Sequence, residues 1–197
     1  MPFYAIVLSL FFILNSLGNI PLFLGILGRY DMRRQRRIIV RESIIALFIL
    51  LAFNFFGQNI LTILGISEPI IGIAGGLVLF IIALGMIFPK REKQEIRVQE
   101  PIVVPLATPI IAGPGAIATV MLYSEQFTTQ WIMTAAIVVA WIPSTIILLA
   151  SSNIKHFLGD RGLTACERLG GMLISLIAVQ MFTTGMIKIV REACLNP

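Results

Sequence analysis

The chain has 197 residues, of which 57% are hydrophobic and 13% charged, with a formal net charge of +5. Soluble domains run about 45–50% apolar and about 25% charged, so the polar residues here are too few to cover a water-soluble globule, and the apolar ones too many for a disordered chain. What remains is an integral membrane protein; its positive charges gather in three short loops, which does not read as a nucleic-acid surface.

An apolar run of about 20 residues crosses the roughly 30 Å hydrocarbon core as a helix. Six such runs follow one another: 3–27, 38–64, 70–88, 102–123, 131–151 and 169–190. They leave no room for a soluble domain, and the ten-residue alternating segments of a membrane barrel are absent. The first run has no basic segment before it and is too long for a signal-peptide core, so it is expected to remain as the first helix. Near its middle stands Asn15-Ser16-Leu17-Gly18-Asn19-Ile20-Pro21. Pro21 lacks an N–H and presses on the carbonyl of Leu17, and Gly18 lowers the cost of unwinding, so a helix break is expected at this place. Asn15 and Asn19, one turn apart, share a face. The third run carries Gly72, Gly75 and Gly76, and the sixth carries Gly170, Gly171 and Ser175, which suit close helix packing. The fourth run holds Pro105, Thr108, Pro109, Gly113, Pro114 and Gly115, too many breakers for an uninterrupted helix.

Charge sets the expected orientation. Thirteen of the 15 Lys and Arg fall in the first, third and fifth loops with their flanks, and only Lys188 and Arg191 fall on the other side. The positive-inside rule then puts those loops in the cytoplasm and both termini outside, with membrane lipid as a partner of the basic loops. The arginines of the first loop serve either as this topology signal or as a specific regulatory site. Tyr4, Tyr123 and Trp131 at outer ends, and Tyr30 at an inner one, suit an interfacial aromatic belt. Cys166 and Cys194 stand near opposite ends of the sixth run, too far apart to pair. Two cysteines and one histidine leave no multi-ligand metal site, and no cofactor is expected.

A shift of 95 residues carries Gly18 onto Gly113 and Gly75-Gly76 onto Gly170-Gly171. Three spans per half is an odd number, so the second half enters from the opposite side. The expected fold is therefore all-α, six transmembrane helices as two inverted three-helix repeats, 1–88 and 102–190, joined by a cytoplasmic linker 89–101. Bare backbone in lipid is costly, so broken spans persist only where protein buries them or a cavity solvates them, and paired breaks in two halves point to a midplane transport site. Half-helix N-termini there offer N–H groups to an anion such as a carboxylate. No charged residue lies near the middle of any run, which fits a small neutral or zwitterionic solute held by helix ends, amides and hydroxyls. The candidate contacts are Asn15, Ser16, Gly18, Asn19, Thr108, Gly113, Gly115, Thr119 and Gln180, with breaks made by Pro21, Pro109 and Pro114. Taken singly, each polar one of these also suits a helix–helix hydrogen bond. Glu42, Glu167 and Arg168, at cytoplasmic helix ends, serve as a gate or ion pair, or as a solvated end. No protease constellation, zinc motif or P-loop is present, so an enzyme is not expected.

The stretch 15–21, Arg41-Glu42, Val104-Pro105-Leu106-Ala107-Thr108-Pro109 with Ala112-Gly113-Pro114, Glu167-Arg168-Leu169 and Gln180-Met181-Phe182 together resemble the MarC-type bacterial inner-membrane proteins over nearly the whole chain. The family more often has proline where this chain has Ser16. The resemblance implies kinship with LysE-like exporters, some members being described as transporters of small neutral amino acids. Together with the broken spans this leads to the expectation of a bacterial inner-membrane transporter working by alternating access, coupled to H⁺ or Na⁺ or uncoupled, with a homo-oligomer as an open alternative. A channel-like uncoupled pore and a non-transporting scaffold are the rival readings.

Overall fold

The structure, a computed structural model, describes residues 2–27, 30–88, 111–124 and 130–195. Among these residues all regular structure is helical: α1 (Phe3–Leu14), α2 (Ser16–Leu27), α3 (Met32–Leu64), α4 (Glu68–Ile87), α5 (Pro114–Ser124), α6 (Gln130–Leu149) and α7 (Ser151–Leu195). Five stretches are long and apolar enough to cross a bilayer: Phe3–Pro21, Met32–Leu64, Glu68–Ile87, Gln130–Leu149 and Arg161–Cys194. They coincide with the first, second, third, fifth and sixth apolar runs. Of the fourth run, residues 102–110, like the linker 89–101, lie outside the described residues, and what is described is the short apolar helix α5.

The first span is broken, though not where proline predicts. Pro21 lies inside α2, and the chain bends instead at Asn15, the only described non-glycine residue with positive φ (φ 49°, ψ 42°). Asparagine tolerates the left-handed region better than most L-residues, whereas a proline in a membrane helix is often absorbed by its neighbours. The N–H of Asn15 closes α1 on the carbonyl of Phe12 at 3.0 Å, and its own carbonyl accepts from the N–H of Asn19 at 3.0 Å.

Gln35 closes the end of α2 by donating to the carbonyls of Leu27 (3.0 Å) and Tyr30 (2.9 Å), and Arg34 lies over the Tyr30 ring. At its far end α3 stops at Gly65 (φ 65°), where the N–H of Ile66 reaches back to the carbonyl of Leu61, a Schellman closure that glycine makes without Cβ strain. The expected fifth loop is largely helix. The chain passes through Ala150 with helical hydrogen bonds on both sides and turns only at Gly159 (φ 63°, ψ 179°), so α7 is two helices meeting there. Ser151, Asn153 and Lys155 are polar without being helix breakers, and a helix can run on past the apolar core into water.

The core helices are α4 and α7, which make the most extensive pairing; α2 packs on α7, α5 on α4, and α3 and α1 both pack on α6. The α4–α7 approach is set by glycines. A Cβ on Gly76 would lie 2.7 Å from the Ala178 carbonyl oxygen, and one on Gly171 would lie 3.0 Å from the Ala83 carbonyl oxygen. At one end of this pair Lys188 Nζ donates to Glu68 Oε1 at 2.5 Å. Outward faces are apolar, with Phe48, Ile63, Trp131 and Leu176 at least 67% exposed, as contact with lipid requires and water would penalise. Trp141 Nε1–H donates to the Ser43 carbonyl at 2.7 Å and ties α6 to α3. Trp141→Phe is expected to remove about 0.5–1.5 kcal/mol of stability, read as a lowered midpoint of thermal unfolding in detergent.

Candidate functional site

The Asn15 break is built from its own neighbours. The Asn15 amide folds over Gly18, where a Cβ would lie 2.5 Å from Asn15 Oδ1, so Gly18 serves to make room for that side chain. Asn19 Nδ2 donates to the Leu14 carbonyl at 3.3 Å, covering an acceptor that the break frees at the end of α1. Asn15 Nδ2 donates in turn to Met86 Sδ of α4 at 3.2 Å. Ser16, in the first turn of α2, is 3% exposed, and its Oγ has no hydrogen-bond partner among the described residues. The first N–H groups of α2 point the same way along the helix, without intrahelical carbonyls to receive them.

The second element arrives on the same α4–α7 support. Gly113 precedes α5, its carbonyl accepting from Ile117 at 3.1 Å, and Pro114 opens the helix, where its missing N–H costs nothing. Gly115 is a packing position: a Cβ there would collide with Leu79 Cδ2. Buried Thr119 donates to the Gly115 carbonyl at 2.8 Å and lies 3.5 Å from Met181 Sδ of α7. Thr108 and Pro109 lie outside the described residues.

One expectation needs correction, at Gln180, and at Glu42 the ion-pair alternative is the one found. Gln180 is exposed and donates to Thr184 on its own helix, because the buried face of α7 runs through Gly171, Ile174, Ala178 and Met181. Glu42 is no solvated helix end: it is fully buried, and its Oε1 accepts from Arg41 at 3.0 and 2.7 Å, since it falls on the inward stripe of α3 with Ile39 and Ala46. Glu167 and Arg168 lie within α7, and no ion pair joins them among the described residues. No group of three metal-ligating side chains is found among the described residues.

Sequence reasoning missed Met86 and Met181, which look like ordinary apolar filling. The signal was available in the 95-residue shift: Met86 maps to Met181 as Gly75 maps to Gly170. The Cε of Met86 lies 3.5 Å from where a Cβ on Gly170 would be, and the Cε of Met181 lies 3.4 Å from the corresponding point on Gly75.

The profile of the MarC family of integral membrane proteins matches residues 1–190. The chain belongs to the MarC family. Among its relatives, the UPF0056 inner membrane protein YhgN of Escherichia coli K12 is 41% identical over 180 residues, covering 89% of this chain and 91% of its own. A UPF0056 membrane protein of Buchnera aphidicola from Schizaphis graminum is 41% identical over 179 residues (89% and 91%), and one of Chlamydia trachomatis is 38% identical over 179 residues (89% and 88%). These three names place the relatives in membranes and specify no solute. No solved structure matches this MarC chain.

Proposed function

We propose that this MarC protein is a secondary transporter of small neutral amino acids, working by alternating access in the bacterial inner membrane, with repeats 1–88 and 102–190 inverted about an axis in the membrane plane. The observation that carries the reading is the Asn15 break: a first span that bends inside the protein, with a buried hydroxyl and an amide whose acceptor among the described residues is sulfur. Membrane interiors keep such backbone where protein buries it or a cavity solvates it, and a broken span in each of two inverted repeats is the arrangement that secondary transporters place around a solute. The contacts across α4–α7 support the two-fold relation. Gly76 against Ala178 and Gly171 against Ala83 are the same contact 95 residues apart, and so are Gly75 against Met181 and Gly170 against Met86. The pairings follow the same rule, α2 on α7 matching α5 on α4. On this reading residues 102–123 make the fourth of six spans, the linker 89–101 is cytoplasmic, and the protein is no enzyme and needs no cofactor. H⁺ or Na⁺ drives the solute, or the exchange is uncoupled. The inner membrane is where the relative YhgN is placed by its name.

Proteoliposomes loaded with L-alanine test the reading. Saturable uptake of labelled L-alanine with counterflow supports a carrier. Flux that does not saturate favours a pore, and no flux for L-alanine, glycine or L-serine favours a scaffold and sinks the transport reading.

Orientation has its own test. Single cysteines at Ser67 and Gln94 in a cysteine-free background are expected to react oppositely with an impermeant thiol reagent on intact cells. Ser67→Cys should label and Gln94→Cys should not, which places both termini in the periplasm; the reverse result would invert the topology.

A further inference from the structure

Among the described residues the acceptor of Asn15 Nδ2 is a thioether, Met86 Sδ at 3.2 Å, and sulfur of this kind accepts weakly. The neighbouring hydroxyl of Ser16 is buried and has no hydrogen-bond partner among the described residues. Among the described residues two polar groups on consecutive residues are thus under-satisfied, the hydroxyl fully buried and the amide partly so, an arrangement that is costly unless something completes it. The acceptor that is present sits on an unbranched, readily rotated side chain, whose methyl rests against a glycine with no side chain of its own to block a swing. The counterpart at Met181 is different in one respect: Thr119 already has the Gly115 carbonyl at 2.8 Å, so sulfur is not its main acceptor. The two methionines match in position, and only the Met86 end has donors waiting for a better acceptor.

We propose that Met86 is a movable plug over a carboxylate subsite: its sulfur holds the Asn15 amide in the empty protein and swings aside when the carboxylate of the solute takes Asn15 Nδ2–H and Ser16 Oγ–H. This rests on the transport reading and deepens it by naming the carboxylate as the group that opens the site. A carboxylate oxygen makes charge-assisted hydrogen bonds about twice as strong as neutral ones, and a thioether is poorer than either, so the exchange runs toward the bound state. An analogue with a carboxamide in place of the carboxylate keeps the size and the ammonium but offers a neutral acceptor.

The test uses the full chain in lipid nanodiscs, labelled with [methyl-¹³C]methionine, with L-alanine and L-alaninamide as probes. The Met86 methyl resonance, assigned by its loss in Met86→Leu, is expected to shift on saturation with L-alanine and to stay in place with L-alaninamide; the Met181 resonance stays in place with both. Met86→Leu preserves volume but removes the sulfur acceptor, which destabilises the empty site alone. It should therefore bind L-alanine about three- to tenfold more tightly, the value of one neutral hydrogen bond. Ser16→Ala should bind it about tenfold or more weakly, the value of one bond to a charged group. A methionine that only fills space would give a Leu variant with unchanged or weaker affinity and an unmoved methyl. If wild type takes up L-alanine saturably while the Met86 methyl does not move or the Leu variant does not gain affinity, the plug is wrong and the transport reading stands. If L-alanine neither binds nor crosses, both fall.

Discussion

Gly76→Val will dismantle the α4–α7 pair, and Gly85→Val, nine residues along the same helix, will leave it intact. A Cβ at Gly76 would stand 2.7 Å from the Ala178 carbonyl oxygen and 2.8 Å from the Phe182 nitrogen. Both obstacles are backbone, so relief requires the helices to separate. Overpacking by one small group costs roughly 1–3 kcal/mol where side chains can yield, and a backbone obstacle puts the cost at or above the top of that range. At Gly85 nothing lies within 4 Å, and valine is a slightly better helix residue than glycine, so the change stays within about 0.5 kcal/mol. Size-exclusion profiles and thermal unfolding in detergent read the difference. Gly171→Val should match Gly76→Val, because it meets the Ala83 carbonyl oxygen at 3.0 Å and Met86 Cβ at 2.9 Å. Equal stability of the Gly76 and Gly85 variants would show that the close approach carries no weight.

Asn15 separates bend from chemistry. Asn15→Leu places a side chain with no local hydrogen bond in the left-handed region, at a cost of about 1–2 kcal/mol, and removes the donor to Met86. It is expected to lower the unfolding midpoint and abolish L-alanine uptake. Asn15→Gly permits the same bend without strain, so it should unfold close to wild type yet lose uptake by at least about tenfold, since the amide is gone. Wild-type uptake by both variants would detach transport from this break altogether.

The long spans were legible because an unbroken apolar run is a strong signal and the stripes facing protein need no further code. The bend was legible as a region, 15–21, and misplaced within it. Proline is the loudest breaker in a sequence, but the Pro21 site sits inside α2, and the conformational tolerance of Asn15 decided the place. Burial of Glu42 was hidden because a carboxylate near a span end reads as solvated; its phase on α3, in step with Ile39 and Ala46, is what turns it inward. Gln180 failed for the same reason in reverse, polar and near the middle of its span but off the buried stripe of α7. Met86 and Met181 were invisible to composition, since a thioether that accepts a hydrogen bond is spelled the same as one that fills a gap.

The unequal lengths of α3 and α4 bear on the surrounding lipid. The apolar stretch 38–64 of α3 measures about 40 Å as a helix, while the 20 residues of α4 measure about 30 Å, close to the thickness of a bilayer core. Both cannot stand upright in one slab. Either α3 leans or the bilayer swells around it, and each costs fractions of a kcal/mol per Å of mismatch. Lipid chain length therefore becomes a mechanical control: short chains press α3 toward a steeper tilt across α6, and long chains let it rise. The arginines at its start, held to the end of α2 through Gln35, ride with that motion.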